Sequence, residues 1–367
     1  MRIKLFADQS YLLEGLQPNI ILYPFFGKPF EDPLDPQSGC FDEYLNVAHS
    51  FFTMTSLVDA DFAVAPVDWN LVKEDQLQTE LFIQFVQKAK NAGKKTLIFF
   101  WNDSNEEIPI SNSIIFRTSL AGHIEKKPWE FAMPAWYEDI LEKYFNGLIP
   151  IRQKNQKPVV SFCGQAAPRK LMFRQKIKDV LHQTMNFINL EKRSKSNFKS
   201  GNIIRRQALD ILARSKTIET NFIIRDKFYG GAVSFSDGGK WDFNLKQKVR
   251  SEYIDNMVNS DYVVCARGNG NYSHRFYETL SCGRIPVFIN TGCVLPYDFE
   301  IEWKKYCVWI EEKDLPFIGE KLMEFHERIS PQEFVELQYE CRKIWKEFLS
   351  PEGFFSNLYR HFKISNF

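Results

Sequence analysis

A strand, a glycine-containing loop and a helix are predicted in succession within residues 261–278, and this segment carries the side chains best suited to chemistry. Its small and charged residues are Arg267, Gly268, Gly270, Ser273, Arg275 and Glu278. A glycine loop that enters a helix exposes backbone N–H groups, and the helix N-terminus adds partial positive charge, so the pair favours a phosphate group. The two arginines can add charge-assisted hydrogen bonds, and Glu278, one turn into the helix, can accept hydrogen bonds from a ribose diol. Together these residues predict a site for a nucleoside diphosphate.

The spacing of the glycines leaves a second interpretation open, in which Gly268 and Gly270 only close a tight turn between strand and helix. It also differs from the dinucleotide pattern G-x-G-x-x-G, because residue 273 is Ser. That pattern, with an acidic residue about 20 positions later, is missing near the first strand of either half of the chain. The segment therefore favours a nucleotide-diphosphate ligand over a nicotinamide cofactor.

Apolar runs alternate with helical patterns along the chain, which predicts an α/β protein with parallel sheets. The predicted strands are 19–26, 61–66, 95–101, 113–117, 158–163, 221–225, 261–265 and 285–289. The predicted helices are 75–91, 173–187, 205–215, 245–259 and 273–282, with a mobile loop at 191–202 and two or three helices in 331–367. The polar, proline-containing segment 148–158 separates the two halves. We therefore expect two Rossmann-like domains that face a cleft, followed by a helical tail.

Several motifs of this sequence resemble the exostosin-type glycosyltransferases (family GT47). The specific ones are Arg267-Gly-x-Gly, Ser273-x-Arg275-Phe276-x-Glu278 and Gly283-x-Ile-Pro-Val-Phe-Ile, and weaker ones are Leu295-Pro-Tyr and the segments 60–66, 161–164 and 303–309. The resemblance extends from about residue 20 to residue 345. It implies a GT-B fold, in which residues 1–157 bind the acceptor sugar and residues 158–340 bind a nucleotide-sugar, most often a UDP-sugar. Residues 341–367 are then expected to form helices that pack back on the N-terminal domain, and transfer is expected to invert the anomeric centre.

The resemblance also assigns donor-binding residues near the start of the second domain. Gly164 matches a family loop that follows a strand, and Arg169 and Arg174 come after it. Without a metal, cationic side chains and helix dipoles must neutralise the leaving diphosphate, so these two arginines join Arg267 and Arg275 as candidates. The alternative is that Arg174 lies on a solvated helix face.

An inverting transferase needs a general base for the acceptor hydroxyl. Open α/β sheets bind ligands at the carboxyl ends of their strands, and Asp103 directly follows the predicted strand 95–101. Asp103 is therefore the predicted base, although Asn102-Asp103-Ser104 is also good turn chemistry. The other candidates for the base are Asp32, Asp35, Asp42 and His123.

No metal or other cofactor is expected beyond the nucleotide-sugar. Asp59-Ala-Asp61 has the form of a D-x-D metal motif, but it precedes a strand of the first half, far in sequence from the donor segment. It also fits the weaker family motif at 60–66. For His274, inside the predicted phosphate loop, two roles are open: its protonation could tune ligand binding, but the commoner role of such a histidine is that of a hydrogen-bonding neighbour.

Composition and net charge limit the classes of partner and the cellular compartment that we expect for this protein. The chain has 367 residues, with 47 Lys and Arg against 46 Asp and Glu, so its net charge of +1 argues against an extended nucleic-acid surface. Its seven cysteines are scattered and form no C-x-x-C pair, which indicates reduced thiols. The first apolar run is too short and too interrupted for a signal peptide, and no run reaches about 20 apolar residues, so neither a signal peptide nor a membrane-spanning helix is expected. We therefore expect a cytoplasmic protein, with peripheral membrane association as an option.

The expected function is that of an inverting glycosyltransferase. Its donor would be a UDP-sugar, and its acceptor a glycan or lipid-linked saccharide in surface polysaccharide synthesis, with association in a glycosyltransferase complex as an option. The alternative is a non-catalytic, nucleotide-binding partner subunit of a glycan polymerase complex. Intact Arg267, Arg275 and Glu278 argue against that alternative.

Overall fold

The computed structural model describes residues 2–12, 14–33, 35, 38–122, 127–170, 200–234 and 240–364. Its first sheet has six parallel strands in the order β2-β1-β3-β4-β5-β6. Their bounds are Ile3–Phe6 (β1), Phe52–Met54 (β2), Phe62–Val64 (β3), Thr96–Phe100 (β4), Ser113–Arg117 (β5) and Glu130–Ala132 (β6). The helices of this half are Tyr23–Phe26 (α1), Asp42–Val47 (α2), Trp69–Val72 (α3), Gln76–Asn91 (α4) and Ile140–Phe145 (α5).

The second sheet has five parallel strands in the order β13-β12-β11-β7-β8. Their bounds are Val159–Gln165 (β7), Glu219–Arg225 (β8), Tyr262–Cys265 (β11), Ile285–Asn290 (β12) and Val308–Glu311 (β13), while Val233–Ser234 (β9) and Lys240–Trp241 (β10) form a separate antiparallel ribbon. The helices are Gly201–Leu212 (α6), Phe243–Val258 (α7), His274–Ser281 (α8) and Ile318–Arg328 (α9). Two parallel sheets that alternate with helices confirm the predicted α/β architecture of two Rossmann-like halves, which is that of the GT-B fold.

Local sequence signals explain most of these elements. In α4, Asp75 caps the first turn by accepting a hydrogen bond from the Gln78 N–H at 2.9 Å. One stripe of α4, which includes Phe82, Phe85 and Val86, is buried, while every residue of β4 is buried, as expected for a central parallel strand. The predicted helix 75–91 and strands 61–66, 95–101 and 113–117 are thus confirmed. The predicted helix 173–187, and residues 191–199 of the predicted loop, lie outside the described residues.

The prediction of a strand at 19–26 is wrong. Residues 20–22 form a single 3₁₀ turn that continues into α1, where Pro24 lies in the first turn and its missing N–H costs no hydrogen bond. The apolar side chain of Ile21 suits its buried position, and its backbone carbonyl accepts a hydrogen bond from the Tyr44 hydroxyl at 2.8 Å. An apolar run of this length does not distinguish a strand from a buried helical turn.

The C-terminal helices return to the first sheet. They are Pro331–Ile344 (α10), Pro351–Ser356 (α11) and Tyr359–Ile364 (α12), and α10 begins with a capping box between Ser330 and Glu333. The ring of Phe355 stacks on Tyr44 at 4.4 Å between centroids, and the ring of Phe362 lies 4.2 Å from that of Phe62. The end of the chain therefore belongs to the core of the first half. Within the described part of the chain, no helix is both long and apolar enough to cross a bilayer.

His361 gives this packing a predictable pH dependence. Its fully buried ring lies among the rings of Phe116, Phe131, Tyr297, Phe299 and Phe354. Burial lowers the pKa of His361 from 6.5 to about 3. The unfolded chain therefore binds a proton below pH 6.5 that the folded chain excludes, and the free energy of unfolding should fall by about 2 kcal/mol between pH 7 and pH 5 from this group alone.

Replacement of His361 by Phe should flatten that pH dependence by about the same amount, because Phe does not titrate. Urea denaturation at pH 7 and at pH 5 measures the effect. His49→Gln, at an exposed position, is the matched control and should keep the wild-type slope. An equal slope in His361→Phe and wild type would show that the tail is not held by a buried neutral histidine.

Candidate functional site

A cavity of about 350 Å³ lies between the two halves and is lined by residues of both. Asp103 and Tyr137 come from the first half, after β4 and before α5. The remaining walls come from the second half, mainly from the ends of β7 and β11 and from α6, α7 and α8. Of the residues predicted from sequence, the lining includes Asp103, Gly164, Gly268, Ser273, Arg275 and Glu278.

Gly164 makes room for Arg275 at the end of β7. The Nη2 of Arg275 donates to the Cys163 carbonyl at 2.8 Å, and the guanidinium lies over the Phe162 ring at 4.3 Å from its centroid. A Cβ at residue 164 would lie 2.7 Å from that Nη2, and the φ of Gly164 is +151°. Any larger residue would displace the guanidinium, so this glycine and this arginine form one unit at the start of α8.

Gly270 brings the glycine loop against Asp103 of the other half. A Cβ at residue 270 would lie 2.8 Å from Asp103 Oδ1 and 2.9 Å from Asp103 Cα. Burial and the hydrogen-bonded carboxylate of Asp103 raise the pKa of Tyr272, which therefore stays protonated. Asn102, rather than Asp103, provides the turn chemistry, since its Oδ1 accepts a hydrogen bond from the Ser104 N–H at 2.7 Å.

Glu278 belongs to a buried network of charges that spans the two halves. Its two oxygens accept hydrogen bonds from Arg250 Nη1 and from the Tyr253 hydroxyl, both at 2.7 Å. Arg250 Nε also donates to Glu138 Oε1 of the first half at 2.9 Å. Burial acts to raise the pKa of Glu278, but the charge of Arg250 and these hydrogen bonds outweigh it and lower the pKa. Glu278 is therefore ionised, and its oxygens keep lone pairs for a further donor.

Two arginines of the cavity were missed by the sequence analysis. Arg205, in α6, donates to the carbonyls of Gln165 and Ala266, each at 3.3 Å. Burial, together with the charge of Arg275, lowers the pKa of Arg205 to about 9. Among the residues that the structure describes, Arg205 forms no ion pair with a carboxylate that would offset this burial. Arg225, at the end of β8, pairs with Glu252 at 2.7 Å. No motif marks either residue, because only the fold places them beside Arg275.

His274 lies between cavity-lining residues of the first half and of the second half. Its ring is 4.8 Å from that of Tyr137 and 5.1 Å from that of Tyr272, measured between centroids. Burial lowers the pKa of His274 although Glu278 and Asp103 act in the opposite direction. The imidazole is therefore neutral at pH 7 and is a hydrogen-bonding neighbour of the site rather than a cation.

The structure does not bring all predicted donor ligands into the cavity. The side chain of Arg169 is 74% exposed and pairs with Asp210 at 3.1 Å. Arg267 is half-buried and lies outside the lining, where burial lowers its pKa. Arg174 and His123 lie outside the described residues.

The other acidic candidates have structural surroundings of their own. Asp42 pairs with Lys28 at 2.5 Å, and Asp35 pairs with Lys246 of the second half at 2.7 Å. Neither these two residues nor Asp32 lines the cavity.

The D-x-D motif serves local structure. Asp61 Oδ2 accepts a hydrogen bond from the Lys4 N–H at 2.8 Å, and Asp59 Oδ2 accepts one from the Ser56 hydroxyl at 2.6 Å. Over the residues that the structure describes, His, Cys, Asp and Glu side chains form no group of three that could hold a metal ion.

Comparison with protein families gives a match over the part of the chain that carries most of this cavity. Residues 143–325 match the Exostosin GT47 domain. A probable glycosyltransferase of Arabidopsis thaliana is 30% identical over 98 residues, which are 27% of this chain and 18% of that protein. An exostosin-1 homolog of Caenorhabditis elegans is 32% identical over 100 residues, or 27% of this chain and 25% of that protein.

Two further comparisons are with another curated relative and with a solved structure. A probable glucuronosyltransferase of Physcomitrium patens is 32% identical over 80 residues, which cover 22% of this chain and 18% of that protein. The matched region thus spans a quarter or less of the length of these curated relatives. Among solved structures, that of TarM aligns with 79% of this chain and 58% of its own at 11% identity, with a TM-score of 0.31.

Proposed function

We propose that this chain, which belongs to the exostosin-type GT47 glycosyltransferase family, transfers a sugar from a nucleotide-sugar to a saccharide acceptor with inversion. The observation that supports this most directly is the two-sided cavity. Arg205, Arg250 and Arg275 line it from the second half, and the exposed carboxylate of Asp103 lines it from the first. Three guanidinium groups and one carboxylate thus line opposite sides of a cavity of about 350 Å³.

In this proposal the guanidinium groups bind the donor diphosphate. Arg205 and Arg275 donate to backbone carbonyls, and within the described part of the chain neither forms an ion pair with a carboxylate. The N-terminus of α8 adds backbone N–H groups next to Ser273. These groups would stabilise the charge that develops on the leaving UDP. Glu278 would accept hydrogen bonds from the ribose diol, with Tyr253 and Arg250 holding its carboxylate in place. The reaction then needs no metal.

Asp103 would act as the general base. Its carboxylate lies beside Gly270 of the donor loop and faces the cavity. A base on the acceptor side removes the hydroxyl proton while the acceptor oxygen attacks the anomeric carbon opposite the leaving UDP. The new C–O bond forms as the bond to the diphosphate breaks, so an α-linked donor gives a β-linked product. A carboxylate so placed favours a catalytic protein over the non-catalytic partner subunit.

Arg205 tests the donor site. Arg205→Gln should weaken UDP binding by about 10- to 150-fold, because it removes a charged, desolvated hydrogen-bond donor worth about 1.5–3 kcal/mol. Calorimetric titration with UDP, in EDTA and again in Mg²⁺, measures the loss and tests metal independence at the same time. Arg214→Gln, at an exposed position just beyond the C-terminal end of α6, is the matched control and should bind as the wild type does. Unchanged binding in Arg205→Gln, or binding that requires Mg²⁺, would contradict this arrangement.

We also propose a cytoplasmic location, at or near a membrane, with a glycan or lipid-linked saccharide as acceptor. All seven cysteines are free thiols, five of them buried. Free thiols in this number are typical of a reducing compartment. The net charge of +1 does not indicate a nucleic-acid partner.

A further inference from the structure

A second and larger cavity opens beside the donor cavity. It has a volume of about 890 Å³ and lies in the first half of the molecule, between segment 28–43, the start of α5 and segment 345–352. Tyr137 lines both cavities. The two cavities therefore share part of one wall, and the second lies next to the space lined by Asp103 and Arg275.

The walls of the second cavity are acidic. Seven carboxylate side chains line it, against three lysines. Five of the seven carboxylates have a cationic partner: Glu31 and Asp42 pair with Lys28, Glu352 with Lys346, Glu138 with Arg250, and Asp139 with Arg342. Glu43 and Glu142 are exposed on the walls. An anionic ligand would meet like charges here, and the repulsion would not be fully screened at the separations involved.

One buried carboxylate of this lining has an unused acceptor. The side chain of Glu138 is 2% exposed, and its Oε1 is occupied by Arg250. Among the residues that the structure describes, no donor lies within hydrogen-bond distance of its Oε2. A buried acceptor without a partner is costly, and such atoms are rare in folded proteins unless a water or a ligand supplies the donor. The acceptor is thus an independent sign that this cavity holds a ligand rich in hydroxyl or ammonium groups.

We propose that the second cavity binds the acceptor, and that it selects a saccharide that carries no anionic group. Glu138 accepts a hydrogen bond from a hydroxyl or ammonium group of that saccharide, and the acidic walls exclude uronic acids. Phe30, whose side chain is 91% exposed although it lines the cavity, offers an apolar ring to a sugar face. This inference rests on the proposed function, since it names the substrate class of the acceptor side.

Three disaccharides of matched size test the selection. The probes are diacetylchitobiose, which is neutral, its de-N-acetylated form, which is cationic, and a glucuronic-acid-containing disaccharide, which is anionic. Ligand-observed NMR titrations, with and without UDP, give the three affinities. We expect the anionic disaccharide to bind at least about tenfold more weakly than the other two, a difference that two or three like charges at partly screened distances can produce. Higher salt should reduce the difference.

Two variants connect the selection to its residues. Glu138→Gln should lower the affinity for the cationic disaccharide by about tenfold relative to the neutral one, as expected for a lost charged hydrogen bond. The double variant Glu43→Gln/Glu142→Gln leaves the buried network intact and should raise the affinity for the anionic disaccharide about threefold or more. Glu320→Gln, at an exposed position of α9 outside the cavity, is the control and should change nothing.

The inference is overturned if the anionic disaccharide binds as tightly as the other two, or if none of the three binds. It is also overturned if the double variant leaves the affinity for the anionic disaccharide unchanged. Loss of UDP binding is a separate outcome, because the affinities without UDP still test the acceptor cavity. That outcome would contradict the proposed donor site, and the disaccharide titrations without UDP would still test the acceptor site separately.

Discussion

Asp103→Asn should lower turnover by about 10²- to 10⁴-fold while the affinity for UDP stays nearly unchanged. A general base contributes about this much to the rate, and the amide of Asn cannot take the proton of the acceptor hydroxyl. The substitution keeps the shape of the side chain, so the close approach of Gly270 to Asp103 is preserved. Asp103 belongs to the half opposite the guanidinium groups, which is why donor affinity should be spared.

The measurement has two parts. Steady-state rates with a UDP-sugar are compared for wild type, Asp103→Asn and the control Asp59→Asn, whose carboxylate accepts a local hydrogen bond from Ser56. NMR of the anomeric proton of the product then reports the stereochemistry. Near-normal turnover in Asp103→Asn would leave inversion possible and move the search for the base to Asp32, Asp35, Asp42 or His123. A product with retained configuration would instead contradict the single-displacement mechanism.

Arg250→Met should lower the free energy of unfolding by about 3–5 kcal/mol. The side chains of Arg250, Glu138 and Glu278 are each 6% exposed or less, and removal of the cation leaves two buried carboxylates without their counter-charge. Breaking a buried ion pair from one side has this cost, whereas removal of the whole charged group is often close to neutral. Burial raises the pKa of Glu138 even with Arg250 present, so the substitution should shift it further upward.

The triple variant Arg250→Met/Glu138→Gln/Glu278→Gln should therefore recover much of the lost stability, although not the affinity for UDP. Urea denaturation at pH 7 measures the free energies. Arg360→Met is a suitable control, because Arg360 and its partner Glu300 are each about one-third exposed, and the loss should stay below about 1 kcal/mol. A loss in Arg250→Met as small as that of the control would show that the two carboxylates are neutral in the folded protein.

Local sequence was sufficient for the elements and for part of the site. The helix at 75–91 has its own cap and apolar stripe, and the strand at 95–101 is continuously apolar, so neighbouring residues alone predict both. The donor segment 261–278 is equally local, since its strand, glycine loop and helix follow one another without interruption. The prediction of a strand at 19–26 failed because its apolar residues contact the core from a helical turn. A short apolar run does not distinguish such a turn from a strand.

Tertiary structure decided which distant side chains meet. Arg205 lines the cavity between the two halves only because α6 packs beside β7 and β11, and Glu138 reaches Arg250 only across the interface of the two halves. The contact of Gly270 with Asp103 depends on the same interface. The sequence by itself determined the α/β class and the glycine loop between β11 and α8, because backbone propensity and short-range hydrogen bonds suffice for them. The charge balance of both cavities was left to the fold, because Coulomb interactions depend on distance in space and burial, not on separation along the chain.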